Sequence, residues 1–174
     1  MITLITGATH TGKTALALRM AARQGGFCLS VDHLKMGLIR SGYTTLTPQD
    51  DDTLTGYLWP VVRELVKTAV ENRQDLIVEG CYVPFDWRRY FDGRYLADIR
   101  FICLAMTEEY IDAHFDDILA HAMDAEARLD DAWLTPERLK AENRAVINGF
   151  RAAGESVTLI EDDYEAALAA VIEL

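Results

Sequence analysis

The sequence predicts an α/β domain in which helices cover both faces of a parallel sheet. Two observations indicate this class. Apolar, β-branched runs alternate with stretches of helical periodicity, and each run is apolar almost throughout, as in strands that are buried on both faces. A length of 174 residues is typical of one domain, so residues 1–174 are predicted to fold as a single unit.

Five apolar runs are the predicted strands, at residues 2–6, 27–31, 76–79, 99–106 and 156–160. Helices are predicted between and after them, beginning near Thr14, His33, Pro48, Asp86, Thr107, Thr135 and Tyr164. Gly25 and Gly26 end the first helix, because glycine readily adopts the conformation that terminates a helix. Thr107 and Thr135 are typical N-cap residues, and Pro136 suits a first helical turn.

The composition excludes two classes of partner. The net charge is −11, half of the residues are hydrophobic, and Lys and Arg form no cluster. Nucleic acids and anionic membrane surfaces are bound by clustered basic residues, so neither is predicted as a partner. A small anionic ligand is not excluded, since it needs only local positive charge.

Three cysteines, Cys28, Cys81 and Cys103, lie in apolar runs without the spacing of a metal site or a disulfide framework. They are predicted to be reduced core residues of a protein in a reducing compartment. The N-terminus has no basic segment before a long apolar one, and no apolar stretch reaches membrane length. We therefore expect a cytoplasmic protein, either a monomer or a homodimer.

The first strand and the first helix are joined by GATHTGKT at 7–14, which matches the phosphate-binding pattern G-x-x-x-x-G-K-[ST]. Glycines let the backbone wrap so that successive N–H groups point at phosphate oxygens, and the helix directs its positive end at the same place. Lys13 is predicted to reach the β- and γ-phosphates, and Thr14 to bind Mg²⁺. A flexible glycine turn is the alternative, but it would require neither of these two residues. The predicted nucleotide-binding residues are Gly7, Thr9, His10, Thr11, Gly12, Lys13, Thr14 and Ala15.

This motif and its place in the chain resemble the P-loop small-molecule kinases, the group around adenylate kinase. The nearest resemblance is to the chloramphenicol phosphotransferase, zeta toxin and 2-phosphoglycerate kinase branches. It covers the whole length, although only the phosphate loop is a highly specific motif. The resemblance implies a three-layer P-loop NTPase fold with sheet order 2-3-1-4-5, a helical lid, and ATP and Mg²⁺ as cofactors.

Asp32 follows the second strand, on the same sheet edge as the phosphate loop. In the chloramphenicol phosphotransferase and zeta toxin groups an Asp at this point takes the proton of the acceptor hydroxyl, and the resemblance implies that role here. A carboxylate suits it, because it orients the hydroxyl and accepts its proton as the phosphoryl group arrives. Capping of the next helix is the structural alternative. Lys35 and Arg40 are candidates for binding an anionic substrate, with exposure on a helix as their alternative.

Glu79 ends the third strand, where adenylate kinases have Asp-Gly. The resemblance implies that Glu79 holds Mg²⁺ through water or orients the acceptor. Glutamate in place of aspartate departs from the family and argues against direct contact with the metal. Arg88, in the loop that follows, is predicted to bind a phosphate or carboxylate of the substrate, and exposure on a helix is again the alternative.

Segment 121–145 lies where related kinases have a lid that brings positive charge over the γ-phosphate. Arg128 is the first candidate and the predicted catalytic arginine, and Arg144 is the second. Two further basic residues are expected to pair with acidic neighbours on the helix surface. These are Arg138 and Lys140, with Glu137 and Glu142 as the expected partners.

Together these residues predict an ATP- and Mg²⁺-dependent kinase that transfers the γ-phosphoryl group to a hydroxyl of a small-molecule acceptor. Lys13, Asp32 and Arg128 are its predicted catalytic residues, and Thr14 and Glu79 its metal ligands. Two alternatives stay open. A nucleoside monophosphate kinase would need acceptor-side cations in place of the carboxylate base, and an ATP-binding regulatory protein would show little turnover.

Overall fold

The computed structural model describes residues 1–121 and 134–173. Its centre is a parallel sheet in the order β2-β3-β1-β4-β5, as predicted. The strands are β1 (Ile2–Gly7), β2 (Phe27–Ser30), β3 (Leu76–Glu79), β4 (Ile99–Met106) and β5 (Thr158–Ile160). The helices of the described residues are α1 (Lys13–Gln24), α2 (Val31–Arg40), α3 (Asp51–Glu71), α4 (Gly93–Leu96), α5 (Glu108–His121), α6 (Pro136–Ala152) and α7 (Tyr164–Glu173). None of these helices has the length and apolar character needed to cross a bilayer.

The sheet is the middle of three layers. Alternate side chains of each strand point to opposite faces, and helices pack on both of them. On one face, Ile5 and Leu104 pack with Leu16 and Met20 of α1 and with Leu168 of α7. On the other face, strand residues pack with α3, with the aromatic segment after β3 (residues 82–95) and with the end of α6. Its members include Leu4, Val78, Leu58, Val62, Trp87 and Phe150.

The brief helix predicted near Asp86 is a 3-10 helix, Trp87–Tyr90, and α4 follows it. Two other predicted helix boundaries are wrong, and side-chain contacts explain one of them. Helix α3 begins at Asp51 and not at Pro48, because the Asp50 carboxylate accepts hydrogen bonds at 2.7 Å from the amide and the hydroxyl of Thr47. That contact makes a turn of the residues predicted to open the helix. Helix α2 begins at Val31, directly after β2, so Asp32 lies in its first turn.

The predicted caps Thr107 and Thr135 are confirmed. Their hydroxyls accept the amides of Tyr110 at 3.2 Å and Arg138 at 3.3 Å, respectively. These caps begin α5 and α6. Helix α5 follows β4 directly, at the edge of the sheet where the parallel strands end, so its residues can contribute to a site at that edge.

The prediction that all three cysteines belong to the core is wrong for two of them. Cys103 is buried in β4, whereas Cys28 and Cys81 are exposed. Cys28 lies on β2, which is an edge strand of the sheet and is covered less completely than the central strands. Cys81 follows β3 at the edge of the sheet where the phosphate loop lies, and the residue lines a cavity there.

Candidate active site

A cavity of about 500 Å³ opens at the carboxyl ends of the strands. The phosphate loop, residues 7–14, forms its middle. Because β1 is the central strand, the residues after β2 and β3 lie on one side of the loop and those after β4 and β5 on the other. Open α/β sheets bind ligands at such an edge, and the volume is in the range of small-molecule sites.

The phosphate loop requires both of its end glycines. Gly7 has φ +141°, and a Cβ there would lie 2.0 Å from the Leu104 carbonyl oxygen of the neighbouring strand. Gly12 has φ +78°, and a Cβ there would lie 1.9 Å from the Tyr164 hydroxyl. His10 also has a positive φ, of +62°. The loop is therefore a sharply wrapped backbone held close to β4 and α7.

Inside the loop, two side chains converge on one carbonyl. The Lys13 ammonium donates to the Ala8 oxygen at 2.6 Å, and the buried Thr11 hydroxyl donates to the same oxygen at 2.8 Å. Lys13 is only 7% exposed and lies back along the loop. To bind Lys13, a phosphate group would have to replace the Ala8 oxygen as the acceptor of this ammonium. The phosphate is the stronger acceptor, because it carries a full negative charge.

The two predicted metal ligands lie side by side. The Thr14 hydroxyl, at the start of α1, donates to Glu79 Oε2 at 3.2 Å, and Glu79 is 1% exposed. Both are oxygen ligands of the kind that Mg²⁺ prefers, and Mg²⁺ is commonly held by one or two protein groups together with substrate phosphates. No group of three or more His, Cys, Asp or Glu side chains in the described part of the chain is placed to hold a metal alone. The pair therefore fits Mg²⁺ that arrives with a nucleotide.

Asp32 lines the cavity on the β2 side and belongs to a polar chain of contacts. Its carboxylate pairs with the Lys35 ammonium at 2.5 Å, and Lys35 also donates to the Tyr82 hydroxyl at 2.8 Å. That hydroxyl in turn donates to Asp51 at 2.8 Å. Burial, together with this bond to Asp51, raises the pKa of Tyr82, so the phenol stays a neutral donor. The chain of contacts fixes Lys35 and, through it, Asp32; the N-cap position of α2 is Ser30, so Asp32 is not the cap.

Several predicted substrate and lid cations lie elsewhere. Arg88 forms a bidentate pair with Glu155, one arm of which measures 3.0 Å, and Glu155 lies on the approach to the amino end of β5. Arg40 lies in the last turn of α2, outside the cavity lining. Arg144 pairs with Glu108 at 2.6 Å, and Arg128 lies outside the described residues.

The expected surface pairing of Lys140 is also different. Its ammonium binds Asp112 of α5 at 2.6 Å, and neither Glu137 nor Glu142 is its partner in this ion pair. Glu142 instead accepts a hydrogen bond from the Thr9 amide of the phosphate loop at 2.6 Å. Tertiary packing explains both contacts: one side of α6 packs against α5, and its other side faces the phosphate loop.

The far side of the cavity is formed by residues that the sequence did not indicate. Tyr110 and His114 of α5 place their rings 4.5 Å apart, and His114 interrupts the helix with φ −126° and ψ 18°. Tyr164 and the Arg19–Glu165 ion pair, at 2.5 Å, close the side between α1 and α7. The mixture of aromatic rings and polar groups suits a flat heterocycle with polar edges. The sequence indicated α5 by its Thr107 cap and α7 by its start at Tyr164, and neither signal shows which residues of a helix face a cavity.

Cys81 gives a direct test of where a nucleotide binds. Cys81 is exposed and lines the cavity, yet burial of its thiol by the surrounding protein raises the pKa of that thiol, against the opposing effect of Lys13. The thiolate fraction should therefore increase only above the ordinary thiol value of about 8.5. We expect alkylation of Cys81 to be slow at neutral pH and to accelerate above that value. ATP at roughly ten times its Kd should slow it about tenfold, because only about a tenth of the sites stay empty.

Cys28 is the internal control for this experiment, since it is exposed on β2 and does not line the cavity. Peptide mass spectrometry of the alkylated protein reports both sites at once. ATP should leave the Cys28 rate unchanged. Equal rates at Cys81 with and without ATP would show that nucleotide does not cover this side of the loop.

Comparison with solved structures identifies the fold. A gluconokinase from Sinorhizobium meliloti 1021 matches with a TM-score of 0.53 at 14% identity, over 98% of this chain and 93% of that one. A shikimate kinase from Aquifex aeolicus vf5 matches with 0.54 at 12% identity, over 99% and 94%. A deoxyadenosine kinase from M. mycoides matches with 0.56 at 14% identity, over 99% and 95%. No family model matches the sequence, and the comparison with curated proteins finds no match. The chain has the fold of the P-loop small-molecule kinases.

Proposed function

We propose that the protein is an ATP-dependent kinase that transfers the γ-phosphoryl group to a hydroxyl of a small-molecule acceptor. One observation carries the proposal: a single cavity holds the wrapped phosphate loop at its centre and Asp32 on one side of it. The Tyr110 and Tyr164 side is suited to the nucleoside, which leaves the side of Asp32 for the acceptor. The solved kinases with the same fold support phosphoryl transfer in general.

In the proposed reaction the protein acts by positioning and by charge. The loop amides and the start of α1 hold the phosphates, and Lys13 turns from the Ala8 oxygen toward them. Mg²⁺, when bound, neutralises phosphate charge, and Thr14 with Glu79 would hold it. Asp32 orients the acceptor hydroxyl, whose oxygen forms a bond to the γ-phosphorus while the bond from that phosphorus to ADP breaks. The hydroxyl proton passes to the Asp32 carboxylate.

The acceptor side favours an alcohol over a phosphate. A nucleoside monophosphate acceptor would need several cations beside the transfer position. The acceptor-side candidates in the described residues do not supply them: Lys35 pairs with Asp32, Arg88 pairs with Glu155, and Arg40 lies outside the cavity lining. A carboxylate at the end of β2 serves a hydroxyl acceptor, because a hydroxyl must lose a proton and a phosphate need not.

A panel assay tests the proposal. ADP release is measured with alcohols, sugars, phosphorylated acids and nucleoside monophosphates as acceptors, and the phosphorylated product is identified by mass spectrometry. Turnover with a hydroxyl compound is the expected result. Turnover confined to nucleoside monophosphates would assign the other kinase class, and background hydrolysis in every well would favour a regulatory ATP-binding protein.

A further inference from the structure

Helix α6 places a carboxylate on the phosphate loop. Glu142 Oε1 accepts the Thr9 amide at 2.6 Å, although 133 positions separate the two residues. Thr9 is the third residue of the loop, whose amides are the groups that a phosphate would use. A short bond from a backbone N–H to a carboxylate is charge-assisted, so an anion already interacts with the loop.

This contact is not what holds α6 in place. The buried Asn143 accepts the amide of Met106, at the end of β4, at 2.7 Å, and donates to the Leu139 carbonyl at 2.8 Å. Lys140 and Arg144 each pair with a carboxylate of α5 at 2.6 Å. These three residues hold α6 in place. The helix therefore directs the Glu142 side chain at the loop without depending on the contact between Glu142 and Thr9.

The charge of Glu142 acts inside the phosphate region of the cavity. The thiol of Cys81 lies close enough to Lys13, Asp32 and Glu142 for the charges of all three to act on its pKa. Asp32 and Glu79 already make this side of the cavity acidic. A bound triphosphate would therefore be repelled by the negative charge of Glu142. It would also compete with Glu142 for the Thr9 amide.

We propose that Glu142 is a built-in competitor for the phosphate loop, which weakens nucleotide binding and so sets the affinity of the site for ATP. The inference rests on the proposed function, since it assigns the loop to nucleotide phosphates. An anion that returns to the Thr9 amide as phosphate leaves would also favour release of product nucleotide. Glu142 is on this account a determinant of affinity and not a group that takes part in the transfer.

Glu142→Gln separates charge from structure, because the amide oxygen of glutamine still accepts the Thr9 N–H. We expect the variant to bind ATP about five- to tenfold more tightly in calorimetry, as the loss of one like-charge contact implies. The affinity for inorganic tripolyphosphate, which has no nucleoside, should increase by the same factor. Glu137→Gln is the matched control: it removes the same charge from the exposed first turn of α6 and should leave both affinities unchanged.

The outcomes separate this inference from the function on which it rests. Unchanged or weaker ATP binding by Glu142→Gln, while the wild type and Glu137→Gln bind ATP, overturns the inference alone. A gain for ATP without a gain for tripolyphosphate also overturns it, since the charge would then act away from the phosphates. A wild type that binds no ATP contradicts the proposed function itself. Circular dichroism melting of each variant excludes unfolding as the cause.

Discussion

Asp32→Asn is expected to reduce turnover roughly 10²- to 10⁴-fold, the range that a positioned general base contributes. Asparagine keeps the shape of the side chain but cannot take the hydroxyl proton. Its oxygen can still accept from Lys35, so the chain of contacts through Tyr82 should persist. ATP affinity should change little, because Asp32 lies on the acceptor side of the loop. The measurement pairs steady-state ADP release with calorimetric titration of ATP.

Asp86→Asn is the matched control for this experiment. Asp86 also belongs to an ion pair with a basic residue three positions later, Arg89, but it does not line the cavity. Its turnover should stay within about twofold of wild type, as expected for a surface pair of little energetic weight. If Asp32→Asn keeps more than a tenth of the wild-type rate, the carboxylate is not the base and the alcohol acceptor loses its main support.

Gly7→Ala is expected to destabilise the fold by about 3 kcal/mol, from backbone strain at positive φ and from a collision that cannot relax easily. The added Cβ would lie 2.0 Å from the Leu104 carbonyl oxygen, and that oxygen also accepts the Ala8 amide at 3.1 Å. The clash is with strand backbone and not with a side chain that can turn away. For a domain of this length the loss corresponds to a fall in Tm of about 6–12 °C.

Gly37→Ala is expected to increase the stability of the fold, in contrast to Gly7→Ala. Gly37 lies inside α2 with no atom within 4 Å of an added Cβ, and alanine is the better helix former by about 1 kcal/mol. Thermal melts followed by circular dichroism compare the two substitutions. A Gly7→Ala protein that melts with the wild type would mean that the loop does not need a glycine at its first position.

Local signals were enough for most of the fold. The run IRFICLAM was predicted as a strand at 99–106 and is β4 with the same bounds, because a buried parallel strand is apolar along its whole length. The threonine caps depend on contacts within three residues, and both are present. The start of α3 was missed because a single side chain, Asp50, converts the preceding residues into a turn.

Pairing over long sequence distances could not be predicted. Arg88 is tied to Glu155, 67 positions away, and the Thr9 amide to Glu142, 133 positions away. Whether a basic residue reaches the cavity or pairs elsewhere depends on where helices dock, which no local pattern records. The same reason explains His114, which lines the cavity from α5, a helix that the sequence indicated by its Thr107 cap.

The most direct measurement is calorimetric titration of ATP with Mg²⁺ into the wild type and Lys13→Ala. Loss of the charged hydrogen bonds from Lys13 to phosphate should weaken binding about 10- to 100-fold. Lys67→Ala, which removes a surface partner of Glu64 on α3 and lies outside the cavity lining, should bind ATP like the wild type. If Lys13→Ala is folded and binds ATP with unchanged affinity, residues 7–14 are not a triphosphate site, and the assignment as a kinase is contradicted.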